Sequence, residues 1–350
     1  MNFNIVNSDV NILLIEPYFT GSHKQWAEGF AKHSRHDVRL LTMKGQFWKW
    51  RMHGGAVTLA REFNALNWRP DLILTTDMLD VTTFMALTQS KSHGIPIAIY
   101  FHENQISYPW SPNDRDIQKN RDSHYGFINY ASTLAADTIF FNSDFHMESY
   151  LGELPKFLRH FPDHRELDSV DIIREKSRIL HLGMDLQKFD IHKTSHKKDP
   201  LILWNHRWEY DKNPESFFSV LNKVQEQGFK FDLAVLGENF SQYPDIFIDA
   251  HKTFETEIVQ WGYTESFPDY AKWLWMADIL PVTSKQEFFG GSVMEAMYCD
   301  TWPILPKRLT YPELLPPNQH LQHLYLNEND LYEKLIWAIQ NIDQVRSTHF

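Results

Sequence analysis

The chain has 350 residues, about twice the usual size of one domain, so two domains are the expected organisation. Its formal net charge of −11 argues against a protein that coats nucleic acid nonspecifically, but it does not exclude a local basic surface. The single cysteine, Cys299, excludes an intrachain disulfide framework and cysteine-rich zinc sites, and it suits a reducing cytoplasm. The sequence predicts neither a signal peptide nor a membrane-spanning helix.

In the first half of the chain, short apolar runs alternate with amphipathic stretches. Apolar runs typical of buried strands lie at 11–15, 37–42, 71–75, 96–101, 137–141 and 178–182. Helices are predicted near 22–33, 55–66, 82–91, 122–134 and 143–151. Continuous apolar strands that alternate with helices indicate a parallel sheet covered on both faces.

The segment 152–200 is charged, rich in histidine and interrupted by proline, and we interpret 190–200 as an interdomain linker. The alternation then restarts, with strands at 201–205, 231–236, 257–261, 278–282 and 302–305 and helices at 214–226, 267–276, 290–298 and 328–342. We predict an α/β protein of two Rossmann-like, doubly wound domains that face each other across a cleft. The predicted domains are 1–190 and 198–327, followed by a closing C-terminal helix in 328–350.

A basic and aromatic stretch, KGQFWKWRMHGG, occupies 44–55, between a predicted strand and a predicted helix. In a loop at the carboxyl edge of the sheet, Lys44, Lys49 and Arg51 can meet phosphates. Trp48 or Trp50 can stack on an unstacked base, which is how proteins commonly recognise RNA loops. The alternative is that one tryptophan packs into the domain while the cations stay solvated.

The stretch EFFGGSVME, at 287–295, joins a predicted strand to a predicted helix. Gly290, Gly291 and Ser292 fall at the helix N-terminus, where free N–H groups and the helix dipole favour an anion. Glu287 in the loop can accept hydrogen bonds from sugar hydroxyls, and Glu295, one turn into the helix, from ribose hydroxyls. An ordinary turn with two surface carboxylates is the alternative.

Two cations, Arg207 and Lys212, follow the first strand of the second half in LILWNHRWEYDKN. Residues after the first strand of a doubly wound domain face its ligand crevice. Arg207 and Lys212 can neutralise a diphosphate there, although a solvated turn would also explain the pair. Together with the 287–295 stretch they indicate a site for a nucleoside diphosphate sugar.

These motifs resemble those of the retaining GT-B glycosyltransferases of the family 4 type. The resemblance also rests on Gly21-Ser22-His23, Phe101-His102-Glu103, Phe141-Asn142-Ser143 and His181-Leu182-Gly183-Met184-Asp185. It implies that Arg207 and Lys212 hold the diphosphate, Glu287 contacts the donor sugar and Glu295 the ribose. Other donor-binding residues implied are Gly21, Ser22, Phe289, Gly290, Gly291 and Ser292. The sequence departs from the pattern at His206, where that family usually has glycine.

The resemblance makes His102 the histidine that contacts the donor sugar beside the reacting carbon; a structural histidine is the alternative. It implies a same-face displacement, in which the leaving diphosphate helps to deprotonate the acceptor hydroxyl. No metal ion is expected, because Arg207, Lys212 and the helix N-terminus already neutralise the leaving group. Asp77 and Asp80 come nearest to a metal-binding DxD motif, but their spacing is wrong.

Four stretches, EPYFTGSHKQW, KGQFWKWRMHGG, TTDMLDVTTF and FHENQISYPW, resemble the queuosine-tRNA mannosyltransferase branch of this family. That branch transfers mannose from GDP-mannose to the cyclopentenediol of queuosine in tRNA-Asp, so these two substrates are the expected partners, without another cofactor. The predicted acceptor-binding residues are His23, Trp48, Lys49, Trp50, Arg51, Asp77, Asp80, Asn104 and Gln105.

Simpler roles remain open for several of these residues. Asp77 and Asp80 could cap the following helix, and Asn104 and Gln105 could satisfy loop backbone groups. Tyr108, Pro109 and Trp110 could serve packing alone.

Two other functions are considered. The first is a GT-B enzyme that uses a glycolipid or lipopolysaccharide acceptor, but the predicted helix 55–66 carries only Arg61 as a cation, which is weak for a membrane-binding surface. The second is a non-catalytic nucleotide-sugar or RNA-binding module. A protein that only binds its ligand need not retain five residues together: His102, Arg207, Lys212, Glu287 and Glu295. A metal-independent, retaining hexosyltransferase is therefore the leading hypothesis.

Overall fold

The computed structural model describes residues 9–109, 123–238 and 243–350. Its contacts divide the chain into two compact units, Met1–Met184 and Asp185–Phe350. Each unit contains a six-stranded sheet whose described strands pair in parallel. The prediction of two Rossmann-like α/β units is therefore confirmed.

The sheet of the first unit has the strand order β2-β1-β3-β4-β5-β6. Its strands are β1 Asn11–Phe19, β2 Asp37–Lys44, β3 Leu72–Thr76, β4 Ile97–Phe101, β5 Thr138–Phe141 and β6 Ser177–Ile179. Its helices are Gly21–His33, Trp48–Ala65, Val81–Ser92, Ser123–Ala135, Asp144–Arg159 and Ser169–Lys176. Successive residues of β1 belong to two different apolar clusters. Leu13 and Ile15 lie in one cluster, and Ile12 and Leu14 lie in the other. Both faces of the sheet are thus covered, as expected for continuous apolar strands.

The sheet of the second unit has the strand order β12-β11-β10-β7-β8-β9. Its strands are β7 Leu201–Asn205, β8 Asp232–Leu236, β9 Ile258–Trp261, β10 Ile279–Pro281, β11 Trp302–Pro306 and β12 Leu324–Tyr325. Its α-helices are Pro214–Glu226, Ile246–Thr253, Phe267–Met276, Gly291–Tyr298, His320–His323, Glu328–Gln340 and Ile342–Arg346. Among the residues of this unit that the structure describes, 3-10 helices span Gln187–His192, Tyr210–Lys212, Tyr311–Leu314 and Pro317–Gln319.

The strand order reverses once in each sheet, between β1 and β3 in the first unit and between β7 and β10 in the second. In doubly wound sheets, the loops at the carboxyl ends of the strands separate at such a switch point and leave a crevice for a ligand. Residues that follow β1, β3 and β4 therefore meet in the first unit, and residues that follow β7 and β10 meet in the second.

The segment that the sequence suggests as a linker lies within the second unit. Phe189, just before this segment, is buried, and within the segment the His196 Nδ1 atom lies 3.0 Å from Asp278 Oδ1. The C-terminal helix Glu328–Gln340 also packs in this unit, where Leu331 and Leu335 share an apolar cluster with Trp204. The linker segment and the C-terminal helix are thus parts of the second unit.

The prediction of a loop through residues 44–54 is wrong. Strand β2 continues to Lys44, and the helix begins at Trp48, with Phe47 in the left-handed conformation (φ 54°) just before it. The Gly54-Gly55 pair does not break this helix. A Cβ atom on Gly54 would lie 2.6 Å from the Trp50 ring, so the glycine makes room for that indole.

Within the described residues, no helix combines the length and the apolar character needed to cross a membrane.

Candidate active site

The second unit gathers ionisable side chains at its switch point, and we call His206, Arg207, Lys212, Glu287 and Glu295 the second-unit cluster. Lys212 is at its centre and is only 8% exposed. Its Nζ atom lies 3.4 Å from Glu287 Oε2 and 3.3 Å from Asp211 Oδ2, and it donates to the Gln286 carbonyl. Burial opposes its charge, but Glu287 and Asp211 hold the pKa of Lys212 above its usual value. Lys212 is therefore a fixed buried cation.

Glu287 is held from two sides. One carboxylate oxygen faces Lys212, while the other accepts the backbone N–H groups of Phe288 and Phe289. Burial would raise the pKa of Glu287, but Lys212 and the backbone N–H of Phe289 keep it below its usual value. The group is a carboxylate, able to accept hydrogen bonds from sugar hydroxyls.

The helix Gly291–Tyr298 begins directly after this loop, as the glycine pair predicts. Gly290 has φ 88°, in the left-handed region where a side chain is unfavourable. Gly291 and Ser292 form the first turn, with N–H groups that no helical carbonyl can satisfy. The loop thus delivers an anion-binding helix end beside Lys212 and Glu287.

His206 stands where the related family usually has glycine, and the structure shows how the site accommodates it. Its carbonyl approaches Gly237 so closely that a Cβ atom there would lie 1.9 Å from the His206 oxygen. Its Nδ1 atom lies 3.2 Å from Ser292 Oγ, and burial together with Lys212 lowers the pKa of His206 to about 3. The neutral ring therefore joins the strand end to the helix start.

Glu295 is oriented by Tyr270, whose hydroxyl donates to Glu295 Oε2 at 2.7 Å. The same hydroxyl lies 3.1 Å from Asn205 Oδ1 at the end of β7. Burial raises the pKa of Glu295, and the hydrogen bond from Tyr270 opposes that rise. Arg207 is more open to solvent, with its guanidinium 3.3 Å from the Glu209 carboxylate.

The first unit also gathers ionisable groups at its switch point, and we call Glu16, His23, Asp77, His102 and Glu103 the first-unit cluster. Glu16 is fully buried near the end of β1. One of its oxygens accepts the Tyr18 N–H at 2.7 Å, and the other lies 3.0 Å from His23 Nδ1. Burial alone would lower the pKa of His23, but Glu16, Asp77 and Glu103 raise it to about 9. The Glu16–His23 contact is therefore an ion pair at neutral pH.

His102 follows β4 and is packed among aromatic rings. Ring centroids lie 4.2 Å away for His23, 4.8 Å for Trp26 and 5.0 Å for Tyr100. Its backbone N–H donates to Asp77 Oδ1, and its buried Nε2 atom has no hydrogen-bond partner among the described residues. Burial, together with His23 and His146, lowers the pKa of His102 well below its usual value. His102 is thus a neutral ring in a fixed position.

The two aspartates of TTDMLD have different positions. Asp77 is 2% exposed, and its Oδ2 atom is buried without a hydrogen-bond partner among the described residues. Asp80 is the N-cap of the helix Val81–Ser92 and accepts from the Thr83 N–H at 2.9 Å. The structure therefore brings Asp77, and not Asp80, into contact with the loop of His102.

Asn104 and Gln105 organise the loop after His102. The buried Asn104 Oδ1 atom accepts the N–H groups of Ile106 and Ser107. The Gln105 amide donates to Glu103 Oε1 at 3.1 Å. Asn104 therefore accepts hydrogen bonds from loop backbone groups, which is the simpler role considered for it. Gln105 instead positions the Glu103 carboxylate of the first-unit cluster. Trp110 lies outside the described residues.

The basic and aromatic stretch forms the first turns of the helix Trp48–Ala65. The Trp48 ring packs 5.1 Å from Tyr125, and Lys49 Nζ lies 5.5 Å from the Trp48 centroid. Trp50 is 62% exposed, whereas the Arg51 guanidinium donates to the Lys44 carbonyl at 3.0 Å. Trp48 therefore packs inward, as in the packing alternative, while Trp50 faces solvent, and a contact of this stretch with RNA stays a prediction.

Gly21 and Ser22 form the exposed first turn of the helix Gly21–His33, which also carries His23. Gly21 has φ 52°, a conformation that favours glycine. The helix start and the ion-paired histidine therefore come from one short segment after β1.

Three residues of the first-unit cluster could hold a metal ion. Glu16, His23 and His102 each offer one ligand atom, and these atoms lie within 4.8 Å of one another. Two histidines and one carboxylate are also the ligands of many catalytic zinc sites.

Sequence reasoning missed several supports of both clusters. Glu16 is a carboxylate inside an otherwise apolar strand, which is a detectable signal, because a buried acid requires a partner. Asn142 donates to the His102 carbonyl, and His181 Nδ1 lies 3.1 Å from the Asn142 carbonyl, so two of the recognised motifs act by holding the His102 loop. Tyr270 was not detectable, since only the tertiary fold brings it to Glu295.

Several solved structures align with nearly the whole length of this chain. HepE of Anabaena in complex with UDP aligns with a TM-score of 0.62 at 13% identity, covering 96% of this chain and 92% of that chain. Sucrose-phosphate synthase from Thermosynechococcus elongatus aligns with a TM-score of 0.66 at 14% identity, covering 96% and 91%. Residues 187–346 also match the family model "Glycosyl transferases group 1". The fold is that of the GT-B glycosyltransferases.

The first unit carries a narrower likeness. Residues 11–184 match the family model "tRNA-queuosine alpha-mannosyltransferase N-terminal". The tRNA-queuosine alpha-mannosyltransferase of Drosophila melanogaster is 32% identical over 338 residues, which cover 93% of this chain and 86% of the relative. The chain belongs to the tRNA-queuosine alpha-mannosyltransferase family.

Proposed function

We propose that this glycosyltransferase transfers mannose from GDP-mannose to the cyclopentenediol of queuosine in tRNA-Asp, with retention at the anomeric carbon and without a metal ion. The observation that carries the proposal is the match to the Drosophila melanogaster relative, because it extends over 93% of the chain and hence over both units. The second-unit cluster supports the donor chemistry, and the first-unit cluster supports a hydroxylated acceptor.

The donor diphosphate is assigned to Lys212, Arg207 and the N-terminus of the helix Gly291–Tyr298. A fixed ammonium, a guanidinium and a helix end stabilise the negative charge that develops on a departing phosphate. Because these groups are already in place, the leaving group needs no divalent cation. Glu287 is assigned to the mannose hydroxyls, and Glu295, held by Tyr270, to the ribose hydroxyls.

In the proposed reaction, the acceptor hydroxyl oxygen forms a bond to the anomeric carbon as the bond from that carbon to the diphosphate oxygen breaks. The hydroxyl proton passes to the departing phosphate oxygen. Attack on the face from which the phosphate departs gives retention. The neutral His102 is assigned to a hydrogen bond with the sugar, since a fixed imidazole reduces the freedom of the reacting carbon.

The test is a transfer assay with purified protein, GDP-mannose and tRNA pools from cells with and without queuosine. We expect a gain of one hexose only on tRNA-Asp that contains queuosine, and an α-linked product by nuclear magnetic resonance. No transfer from GDP-mannose, despite normal GDP binding, would overturn the proposal. Equal transfer to other queuosine-containing tRNAs would overturn the tRNA-Asp assignment alone.

The metal assignment needs a separate arm, because Glu16, His23 and His102 could hold an ion. We expect EDTA to leave the rate unchanged and added Zn²⁺ to inhibit, since Zn²⁺ would occupy two rings that the acceptor or donor needs. A rate that falls in EDTA and returns with one particular metal would contradict metal independence.

A further inference from the structure

The first-unit cluster has more carboxylates than its single cation can pair. Glu16 is matched, because its two oxygens face His23 Nδ1 and the Tyr18 N–H. Asp77 and Glu103 remain, and both are close enough to His23 to raise its pKa. A phosphate would be repelled from such a site, whereas a cation or a polyol would be stabilised.

Asp77 carries the clearest sign of an unfilled interaction. Its Oδ1 atom accepts the His102 N–H at 2.8 Å, but its Oδ2 atom is buried without a hydrogen-bond partner among the described residues. Buried polar atoms in native proteins almost always have a partner, and one that lacks it lowers stability. A ligand that donates a hydrogen bond to Oδ2 would remove that cost.

Glu103, which directly follows His102, is near enough to Asp77 to affect its pKa. The Gln105 amide donates to its Oε1 atom at 3.1 Å and so fixes the carboxylate within the loop after β4. Glu103 contributes to the raised pKa of Asp77, for which burial is the main cause. A ligand cation between the two groups would stabilise the ionised form of both, including Asp77, whose pKa is otherwise raised to about 8.

Queuosine carries such a cation beside the hydroxyls that receive the sugar. Its cyclopentenediol is joined to the deazaguanine base through an aminomethyl nitrogen, a secondary amine that is protonated at neutral pH. We propose that Asp77 and Glu103 bind this secondary ammonium, and that the Glu16–His23 ion pair forms the adjoining wall for the diol. This inference rests on the proposed function, because it names the acceptor group that the same enzyme recognises.

The inference explains why an acidic site suits a tRNA acceptor. Phosphates of the tRNA backbone are the same in every tRNA, so binding them does not select queuosine. A charge-assisted hydrogen bond to an ammonium depends on the modified base itself. Because the bound ammonium is next to the diol in queuosine, binding it also fixes the diol and positions its hydroxyl for transfer.

The experiment uses three forms of queuosine-containing tRNA: unmodified at the amine, N-methylated and N-acetylated. Methylation adds bulk but retains the positive charge, whereas acetylation removes the charge. For the wild type, in EDTA, we expect kcat/KM to fall about tenfold or more on acetylation and only slightly on methylation. Equal losses for the two forms would show a steric effect and overturn the inference.

The variants Glu103→Gln and Asp77→Asn identify the partner of the ammonium. Each should raise the KM for unmodified tRNA about tenfold, leave the KM for GDP-mannose unchanged and reduce the discrimination against acetylated tRNA. Glu153→Gln is the matched control, because Glu153 is an exposed carboxylate of the same unit, paired with Lys156. Undiminished discrimination in both cluster variants would overturn the inference.

Two further measurements distinguish a failure of this inference from misfolding of a variant and from a failure of the proposed function. If Asp77→Asn does not fold, Glu103→Gln still tests the inference, since Glu103 is less buried. Binding of the three tRNAs without a donor is measured as well. Transfer to queuosine without charge discrimination overturns the inference and leaves the proposed function standing. Charge-dependent binding without mannose transfer overturns the proposed function and leaves amine recognition standing.

Discussion

At the switch point of the second unit, a buried ammonium is surrounded by two carboxylates, and a guanidinium and a helix N-terminus lie nearby. At the switch point of the first unit, the partly buried, protonated His23 ring lies among the acidic side chains of Glu16, Asp77 and Glu103. The sheets share one architecture, but the second cluster has two cations, Arg207 and Lys212, beside a helix N-terminus, whereas the first has one cation, His23, among acidic side chains. The comparison teaches that the fold supplies the place of a site while the side chains after each strand decide its charge.

The largest effect is expected when the cation of the second unit is removed. Lys212→Ala leaves Glu287 and Asp211 buried without their cation, so we expect GDP affinity to fall at least tenfold and transfer about a thousandfold. The free energy of unfolding should fall by about 3 kcal/mol, which is typical for one lost partner of a buried ion pair. Calorimetric GDP titration, rate assays and urea unfolding measure the three effects.

The matched control for this change is Lys285→Ala, an exposed lysine in the same loop region. It should leave all three quantities unchanged. If it weakened GDP binding as much as Lys212→Ala does, the affinity would come from general charge rather than from the buried ammonium.

The second largest effect is expected at Glu287, and it distinguishes recognition of the sugar from binding of the diphosphate in the second unit. Glu287→Gln preserves volume and loses the negative charge, so we expect the rate to fall about a hundredfold while GDP affinity changes less than threefold. The physical reason is that the assigned partner of Glu287 is the mannose, which GDP lacks. The roles of Lys212 and Glu287 would have to be revised if both variants lost GDP affinity equally.

The charge arrangement of the first unit, unlike that of the second, should make the free energy of unfolding depend on pH. The pKa of His23 is raised to about 9, so the stabilisation from its ion pair is complete below about pH 6.5 and is lost as the pH rises through 9. Asp77, with its pKa raised to about 8, adds to the loss, since the unfolded chain binds fewer protons between about pH 4 and 8. We expect the free energy of unfolding to fall on the order of 3 kcal/mol between pH 6.5 and 9.

Urea unfolding across this range should show a smaller pH dependence in His23→Gln, because glutamine does not titrate. A variant with the slope of the wild type would show that other groups cause the loss. The second unit should contribute little to this slope, since the pKa of His206 is lowered to about 3 and its ring stays neutral throughout.

The smallest effect is expected at the aromatic helix of the first unit. Trp50 is 62% exposed, so Trp50→Ala should change the free energy of unfolding by less than about 0.5 kcal/mol. If its indole contacts tRNA, tRNA affinity should fall a few-fold and GDP affinity should not change. Trp48→Ala is the contrasting variant, because Trp48 packs on Tyr125 and its loss should lower stability. Unchanged tRNA affinity in Trp50→Ala would remove this surface from the acceptor site.

Much of the fold followed from local patterns. Apolar runs located eleven of the twelve described strands, and the glycine pair at 290–291 located the helix start beside Glu287. The predicted helix start at residue 55 was too late, because the helix begins at Trp48 and continues through Gly54, where a packed indole uses the free space. The two-residue strand Leu324–Tyr325 was missed, since it is defined by its pairing with β11 rather than by a run of its own.

The sequence by itself determined the two Rossmann-like units, the buried strands and the residue types at their carboxyl ends, because apolar periodicity and strand-end position are local properties. Only the tertiary structure decided which of these residues share a cluster. Asp77 joins the His102 loop while Asp80 caps a helix, and Tyr270 reaches Glu295 from another helix. Such contacts depend on the order of the strands in the sheet, and so do the shifted pKa values that give the two switch points their different charge arrangements.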